Sequence, residues 1–435
     1  MPSPGRQASR GRRNDVAAPY DARHASAQTR AAVNVLVLAL AAMFVQQTFA
    51  AMGKILPAVI APAIILDLHF APEWVGAYFG LSAFAAILFQ MSCGNFIVRY
   101  GALRVSQVAL LMLTFGMAVT VEGSLLVFVL SAIVGGGGAA VSTPASSHLL
   151  GRFSPPQYAP LVFSIKQTAV PAGLLLAGSL GPLLTAWAGW RGTMLIVAAA
   201  CLASVFALEP LRERFDTDRR ATQSLRLGDF KSTLISVLRV PDLRSLSFAC
   251  FAFNAVQAIV TAYFVIYLTT LGYTLAAAGF VFSIATAVAM PGRIAWGWIG
   301  SVHVAPRVVM AGLAFGMAAS AAFIGFYDAS WPVLVVGTGA CALSATALSW
   351  HGVLLSETAR LAPEGTRGAV TGVVLSFGQL GAMLMPLLYS ALLALTGSYG
   401  IGFVVCGVPA LLVGFDLLRT ERGAVAQRPA PRHSA

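Results

Sequence analysis

The chain alternates between long apolar stretches and short polar segments. A helix that crosses the hydrocarbon core of a bilayer needs about 20 predominantly apolar residues. Twelve stretches meet this requirement, and they predict twelve membrane-spanning helices, named spans 1 to 12 from here on. In chain order the predicted spans cover residues 33–57, 74–97, 103–121, 125–150, 159–185, 192–209, 245–270, 276–299, 305–326, 332–356, 368–395 and 400–418.

The composition agrees with a polytopic membrane protein and excludes a soluble one. Of the 435 residues, 58% are hydrophobic and only 10% are charged, against about 25% charged residues in an average soluble domain. So few charged side chains cannot cover the core of a soluble protein of this length. A disordered chain is excluded as well, because disordered chains are poor in apolar residues. The predicted fold class is therefore all-α and membrane-spanning.

The longest polar segment between spans predicts the domain organisation. Residues 210–244 separate span 6 from span 7, which leaves six spans on each side. The predicted architecture is two six-helix bundles joined by a cytoplasmic linker. The predicted parts are a basic cytoplasmic tail at 1–32, an N-terminal bundle at 33–209, the linker at 210–244, a C-terminal bundle at 245–419 and a second cytoplasmic tail at 420–435.

Both bundles carry the same short pattern, which indicates an internal repeat. Gly94 precedes Arg104 by ten residues between spans 2 and 3, and Gly297 precedes Arg307 by ten residues between spans 8 and 9. The two pairs lie 203 residues apart. Repeats of whole helical bundles are typical of secondary transporters.

The positions of the charged residues predict the orientation of the chain. The sequence has 28 basic and 16 acidic residues, and the basic ones are concentrated in the two tails and the linker. An even number of spans puts both tails on one side, and the loops of the other side hold one basic residue, Arg191. Cytoplasmic loops carry the excess of Lys and Arg, so both termini are predicted to be cytoplasmic. The same distribution argues against a nucleic-acid partner.

Several motifs resemble those of known transporters. The loop between spans 2 and 3 reads Gly94-Asn-Phe-Ile-Val-Arg99-Tyr-Gly101-Ala-Leu-Arg104. It resembles Gly-x-Leu-Ala-Asp-Arg-x-Gly-x-Arg, a signature of the major facilitator superfamily (MFS) of two-bundle secondary transporters. Further motifs resemble a bacterial subgroup of permeases: Pro144-Ala-Ser-Ser, Phe163-Ser-Ile-Lys-Gln-Thr, Gly181-Pro182, Gly189-Trp190-Arg191 and Trp350-His351-Gly352-Val353. The resemblance covers about residues 33–419 and implies the MFS fold in a bacterial inner (plasma) membrane.

The resemblance also implies a set of gating residues at the cytoplasmic side: Gly94, Arg99, Gly101, Arg104, Gly297 and Arg307. The acidic residue of the signature is missing twice, because Val98 and Ser301 occupy its positions. We expect Arg99 and Arg104 to contribute to gating through helix C-termini, where a cation meets unpaired carbonyls. The alternative is that these arginines only anchor the loop at the lipid headgroups.

In this family the substrate lies near the membrane midplane between the two bundles, and the resemblance implies that spans 1, 4, 7 and 10 line the cavity. These spans carry polar residues at helical spacing, with Ser344 and His351 on one face of span 10. Polar faces are costly in lipid, so they turn inward, either to a cavity or to hydrogen bonds between helices. The predicted substrate-binding residues are Lys166, Lys54, Gln47, Gln167, Asn254, Gln257, Thr261 and His351.

Charged residues inside the spans predict the charge of the substrate. Lys54 and Lys166, two of only three lysines, lie within apolar helices, where a charge costs at least about 2.5–3.5 kcal/mol. Lys54 is close enough to the end of span 1 to extend to the interface instead. Arg293 in span 8 is either a third cation of the cavity or a headgroup anchor. No Asp or Glu lies in the middle of a span, which favours an anion held by charge-assisted hydrogen bonds.

The predicted function is secondary active transport of a small organic anion, most simply a carboxylate. Two alternatives remain: a multidrug or metabolite exporter of the same superfamily, and a transporter-like solute sensor. The sequence contains no HExxH motif, carboxylate pair or Walker motif that would indicate an enzyme. The five single cysteines do not have the spacing of metal ligands. No cofactor is expected. Candidate proton carriers are His351 and His148, and exchange without protons is equally compatible.

Overall fold

The computed structural model describes residues 20–155, 159–220, 222, 230–363 and 367–426. Within these ranges every regular element is a helix. Residues 1–19 and 427–435 of the predicted tails lie outside the described residues, and so do residues 221 and 223–229 of the predicted linker. The helices that make up the spans are Tyr20–Val59, Trp74–Tyr100, Ala102–Val119, Leu125–Phe153, Ala159–Gln167, Ala169–Leu208, Pro241–Thr270, Leu275–Val302, Pro306–Gly325, Val333–Ala347, His351–Leu361, Arg367–Thr396 and Tyr399–Ala426. The other helices, which lie between spans, are Ala61–Leu68, Thr120–Glu122, Glu209–Leu211, Arg212–Phe215 and Phe230–Arg239.

The described helices account for twelve membrane crossings. Eleven described stretches are long and apolar enough to cross a membrane, and one of them, Ile165–Phe215, has 51 residues. As one helix it would be about 76 Å long, more than twice the roughly 30 Å of the hydrocarbon core. Gly189 interrupts it with a φ of 68° and a ψ of 172°, a backbone conformation that residues with a Cβ rarely adopt. The stretch therefore contains spans 5 and 6, and the predicted all-α fold is confirmed.

Span 10 departs from its prediction as one continuous helix over 332–356. Its first helix ends at Ala347 and its second begins at His351, with Leu348, Ser349 and Trp350 between them. No glycine or proline marks this break, so the sequence pattern could not reveal it. The break also changes the helix face. His351 lines the central cavity described below, whereas Ser344 is buried among spans 7, 8 and 10, so their predicted common face is wrong.

The two halves of the chain, spans 1–6 and spans 7–12, pack by one repeated scheme. In the first half, span 1 packs on span 5, span 2 on span 4 and span 3 on span 6. In the second half, span 7 packs on span 11, span 8 on span 10 and span 9 on span 12. Each pair of the second half is the first-half pair displaced by six spans. This packing accords with the internal repeat that the Gly–Arg pattern indicates.

The halves meet most closely at the end of the molecule opposite to the chain termini. We call this the far end, and the other the terminal end. Span 2 packs there on span 11, and span 5 on span 8; these two contacts are the far-end seams. A methyl group at Gly178 would lie 2.5 Å from Ser283 Oγ. In the other seam, Ser390 Oγ donates a hydrogen bond of 2.7 Å to the Glu73 carbonyl. The structure is therefore closed at the far end.

The glycine run of span 4 is a packing surface. The helix Leu125–Phe153 continues unbroken through Gly135–Gly138. A methyl group at Gly136 would overlap Ser82, one at Gly137 would lie 2.7 Å from the Phe89 ring, and one at Gly138 would lie 2.8 Å from the Ala109 carbonyl. The run lets spans 2 and 3 approach span 4 closely, which favours close packing over a hinge.

Candidate functional site

A cavity of about 220 Å³ lies between the two halves. Its polar lining in the first half consists of Gln47, Lys54, Gln90, Thr143 and Gln167. Its polar lining in the second half includes Asn254, Gln257, Thr261, Arg293, His351 and Gln379. Spans 1, 4, 7 and 10 contribute, as the resemblance implies, and spans 2, 5, 8 and 11 contribute as well. Seven of the eight predicted substrate-binding residues, all except Lys166, therefore lie on the surface of this cavity.

Three of the predicted polar residues are positioned by a neighbouring span. Gln47 Nε2 donates a hydrogen bond of 2.9 Å to Thr143 Oγ1 in span 4, and Asn254 Nδ2 donates one of 2.7 Å to the Gly378 carbonyl in span 11. Trp350 Nε1 donates one of 3.2 Å to Gln257 Oε1. Each of these amides thus forms a hydrogen bond to a neighbouring helix and also presents a fixed edge to the cavity.

Other polar atoms at the cavity have no partner within the described part of the chain. They are His351 Nδ1, Gln90 Oε1 and Gln379 Oε1, all buried. Leaving such a group unsatisfied costs about 1–3 kcal/mol, so these three atoms favour a polar ligand. Gln90 and Gln379 were missed by the sequence analysis, which followed the four spans named by the resemblance. A glutamine inside an otherwise apolar span is the sequence signal that could have identified both residues.

Lys54 faces the cavity although it lies only five residues before the end of its helix at Val59. It forms no hydrogen bond or ion pair with another described residue. The Lys54 side chain therefore does not extend to the membrane interface, which was the alternative. An ammonium group with no protein partner at the wall of a cavity is suited to bind an anion.

Lys166 lies behind the cavity wall, with none of its surface exposed. Its Nζ is 3.4 Å from the Thr143 carbonyl and 3.5 Å from Ser147 Oγ, both in span 4. Thr143 itself lines the cavity. Lys166 therefore lies behind Thr143 rather than on the surface of the cavity, and direct contact with a solute would require span 4 or the lysine to move.

Arg293 connects the two halves across the terminal side of the cavity. Its Nη1 donates a hydrogen bond of 2.7 Å to the Gln167 carbonyl in span 5, and its Nε donates one of 2.8 Å to the Leu348 carbonyl in span 10. It also lines the cavity. The headgroup-anchor interpretation of Arg293 is therefore wrong. Its position two residues after Pro291, inside an apolar span, was the signal for a special role.

Local interruptions of two helices explain why these carbonyls are available. The carbonyl of residue 167 would normally accept from the N–H of residue 171, but residue 171 is a proline and has no N–H. The Leu348 carbonyl lies in the break of span 10, where the regular ladder is interrupted. Unpaired carbonyls are costly in a membrane, and the guanidinium of Arg293 satisfies both of them.

The ionisable side chains at the cavity are basic. Lys54 and Arg293 are on its surface and Lys166 is directly behind it, whereas none of the described lining residues is Asp or Glu. In a medium of low dielectric constant, the field of such groups is several times stronger than in water.

The predicted gating residues of the first half contact the linker. Gly101 has a φ of 97° between spans 2 and 3, which requires glycine. Asp216 of the linker accepts hydrogen bonds from the Leu103 and Arg104 N–H groups, at 2.8 and 3.0 Å. Burial raises the pKa of Asp216, and these two hydrogen bonds act in the opposite direction. The linker thus supplies a carboxylate to a loop whose signature position is Val98.

The side chains of the predicted gating arginines are paired within their own halves. Arg104 contacts Glu209 at 3.4 Å, and the buried Arg307 contacts Asp242 at 2.8 Å and Glu357 at 3.8 Å. The expected contact of Arg104 with a helix C-terminus is therefore replaced by a carboxylate. Arg99 lies over the Tyr100 ring at 5.5 Å.

The two glycines of the gating set, Gly94 and Gly297, have open space where a Cβ would lie. Packing therefore does not require glycine at either position. Their gating role stays a prediction of the resemblance alone.

The proton-carrier candidates differ in position. His351 stacks on Trp350 with ring centroids 3.7 Å apart at the cavity. His148 lies at the terminal end, where its Nε2 is 2.8 Å from Asp218 of the linker. Arg152 is 2.5 Å from the same carboxylate. His148 therefore belongs to the contact between span 4 and the linker.

Comparison with known proteins identifies the family and the fold. The profile of the Major Facilitator Superfamily matches residues 43–360, and a comparison with curated proteins gave no match. A bacterial homolog of the human lysosomal transporter Spinster, in an inward-facing and occupied conformation, has a TM-score of 0.67 at 16% identity over 90% of this chain and 98% of that chain.

Two further structures show the same fold. A D-xylose-proton symporter has a TM-score of 0.67 at 15% identity, over 88% of this chain and 97% of its own. A POT family transporter in complex with 5-aminolevulinic acid has a TM-score of 0.69 at 14% identity, over 88% and 96%. Twelve apolar helices, two halves that pack by one scheme and a profile that matches most of the chain lead to one conclusion: the chain belongs to the Major Facilitator Superfamily and is a multi-pass secondary transporter.

Proposed function

We propose that the protein transports a small organic anion, in the simplest case a carboxylate. The observation that carries this proposal is a cavity between the halves with Lys54 and Arg293 on its surface and no described carboxylate among its lining residues. Charge-assisted hydrogen bonds from Lys and Arg are the usual means of holding a carboxylate. The volume of the central cavity, about 220 Å³, is below the usual range of about 300–1,000 Å³ for ligand pockets, and this limits the size of the solute.

Arg293 is the proposed anchor for the carboxylate. A guanidinium group binds a carboxylate with two parallel hydrogen bonds, and those bonds are stronger than bonds to neutral carbonyls. An anion in the cavity would therefore compete with the carbonyls of Gln167 and Leu348 for Arg293. Lys54 would hold the anion from the opposite half, and the buried Lys166 would add to the field.

The remaining predicted residues have proposed roles in orientation. Gln47, Asn254 and Gln257 present fixed amide edges, and Gln167, Thr261 and His351 complete the polar wall. The unpaired atoms of Gln90, Gln379 and His351 suit a solute with a hydroxyl or amino group besides its carboxylate. A solute of this kind would satisfy the groups whose isolation is costly.

We infer that transport proceeds by alternating access of bundles 33–209 and 245–419. The far-end seams close the cavity on one side in this structure. On the other side, the hydrogen bond of Arg293 to Gln167 connects the halves. An anion that draws Arg293 away from this carbonyl would loosen the connection. Substrate binding and the movement of the bundles would thereby be linked, since a ligand shifts an equilibrium by its differential affinity for the two states.

A transport experiment tests the proposed function. Purified protein in lipid vesicles should carry labelled small carboxylates, and unlabelled carboxylates should compete with them, because the field of the cavity favours anions. Organic cations should neither be carried nor compete. Transport of cations without binding of carboxylates would replace the proposal by the multidrug exporter. Binding of carboxylates without any transport would favour a solute sensor.

We further propose that both termini and the terminal end face the cytoplasm. A cysteine at position 69, in the loop after span 1, should then react with a membrane-impermeant thiol reagent added outside intact cells. A cysteine at linker position 223 should react only after the cells are opened. The basic residues of the tails and linker set this orientation. Labelling of position 223 in intact cells would show that the orientation is reversed.

A further inference from the structure

A second cavity lies next to the anion site. It has a volume of about 290 Å³ and is lined by the far ends of spans 1, 2 and 4 and by the short helix Ala61–Leu68. Its lining residues include Pro57, Ala58, Ala61, Tyr78, Phe79 and Phe128. No charged residue is among the described residues that line it. We call this the apolar chamber.

Phe79 separates the apolar chamber from the central cavity. It is the one described residue that lines both of them. Its ring forms a T-shaped contact with the Tyr78 ring, at 5.5 Å between centroids. On span 1, Lys54 and Ile55 line the central cavity, whereas Pro57 and Ala58 line the chamber. Three residues of helix correspond to a rise of about 4.5 Å, so the ammonium-bearing residue and the chamber are close neighbours.

The chamber is not part of the far-end seam. Gly76 and Gly80 of span 2 face span 11 in that seam. Tyr78 lies two residues from each of them, about 200° around the helix, and it faces the chamber with Phe128 of span 4. All the walls of the chamber belong to the first half, so opening or closing of the seam does not separate them.

An apolar cavity of this size is suited to hydrocarbon. Apolar cavities of about 150 Å³ bind small apolar molecules; this one is about twice as large, and its edge is formed by the exposed Trp74, Leu125 and Val129. Each methylene that is moved from water into such a site strengthens binding about fourfold. A solute that is anchored by its carboxylate at Lys54 and Arg293 could place its hydrocarbon part there if the Phe79 ring rotates aside.

We propose that the apolar chamber is the binding site for the hydrocarbon tail of the substrate, which would make the substrate an amphipathic carboxylate. This inference rests on the proposed function, because the central cavity must hold the carboxylate. The wall that the two cavities share at Phe79, together with the short distance along span 1 from Lys54 to the chamber, favours the substrate as the occupant over a lipid acyl chain.

A chain-length series tests the proposal. Straight-chain carboxylates of three to ten carbons are used to compete with labelled propanoate for the purified protein in lipid vesicles. We expect the affinity to increase about fourfold per methylene over several carbons and then to level off when the chamber is filled. An affinity that does not increase beyond four carbons would overturn the tail site.

Variants of the chamber separate this gain from general partitioning into the membrane. Ala61→Phe fills the chamber, and Val129→Trp narrows it from a position that is 38% exposed and so tolerates a larger side chain. Both should bind propanoate as the wild type does and lose the gain for longer chains. Leu66→Phe is the matched control: it lies on the same short helix as Ala61, is 80% exposed and does not line the chamber. A length gain that persists in both filled variants would contradict the proposal.

The same experiment distinguishes the anion site from the tail site. If propanoate does not bind to the wild type, the proposed function itself fails. If propanoate binds but chain length has no effect, only the apolar chamber is excluded as a tail site. Phe79→Ala joins the two cavities and should increase the preference for long chains over propanoate; an unchanged preference would count against Phe79 as the partition.

Discussion

Replacement of Arg293 by alanine is expected to reduce anion transport about 30- to 5,000-fold. The variant loses the proposed anchor of the carboxylate, and truncation of one partner of a buried charged pair costs about 2–5 kcal/mol. It also leaves the carbonyls of Gln167 and Leu348 without the hydrogen bonds of 2.7 and 2.8 Å that they accept now. Uptake of a labelled carboxylate into vesicles, at equal amounts of inserted protein, measures the effect.

The conservative variant and a control sharpen this test. Arg293→Lys keeps the charge, but an ammonium group lacks the planar fork that reaches two carbonyls, so we expect an intermediate rate. Arg419→Ala, an exposed arginine at the end of span 12, should transport like the wild type. If Arg293→Ala transports at the wild-type rate, Arg293 neither anchors the anion nor links binding to the movement of the halves.

Alanine at Gly279 should shift the protein away from the conformation closed at the far end. The added methyl group would overlap the Gly178 carbonyl and lie 2.5 Å from Pro182 Cγ. Overpacking of this kind costs about 1–3 kcal/mol, which corresponds to a shift of about 5- to 150-fold between two conformations. A cysteine at position 261, on the cavity wall, should then react faster with an impermeant thiol reagent added from the far side, and transport should slow.

Gly312→Ala is the matched control for this prediction. Gly312 is an exposed glycine of span 9 with open space around its Cα, so the same added methyl group should change neither labelling nor transport. Equal labelling of position 261 in the Gly279 and Gly312 variants would argue against the seam between spans 5 and 8 as a closing contact.

The sequence predicted the spans well because a membrane imposes a simple requirement. Every span needs about 20 apolar residues, and the polar residues that interrupt such runs must face inward. For this reason the helical spacing of Gln47, Asn254, Gln257 and Thr261 was enough to assign them to an inner face. The same spacing does not predict how far behind that face a side chain lies. Lys166 and Gln167 are adjacent in sequence, yet only Gln167 reaches the cavity, because one residue of helix corresponds to a rotation of about 100°.

Other parts of the site depend on contacts between distant segments. The break at Leu348–Trp350 has no glycine or proline, so its stability comes from what surrounds it, including the bond from Arg293. Asp216 meets the loop between spans 2 and 3 from more than 100 residues away. No local pattern announces either contact. The sequence therefore supported the identity of the spans and the charge of the cavity, whereas the partners of Arg293 and Asp216 required the fold.

The construction of the far-end seams has a consequence for speed. Glycine backbones touch there at Gly178 and Gly279, and few direct side-chain hydrogen bonds, such as the one from Ser390, hold them. The ion pairs resolved between described residues join spans of the same half or a span and the linker. Dispersion contacts contribute only about 0.1–0.2 kcal/mol per atom pair, and they vanish together over a short separation. Because no resolved ion pair has to be broken when these helices separate, we expect the seams to open and close again within each turnover.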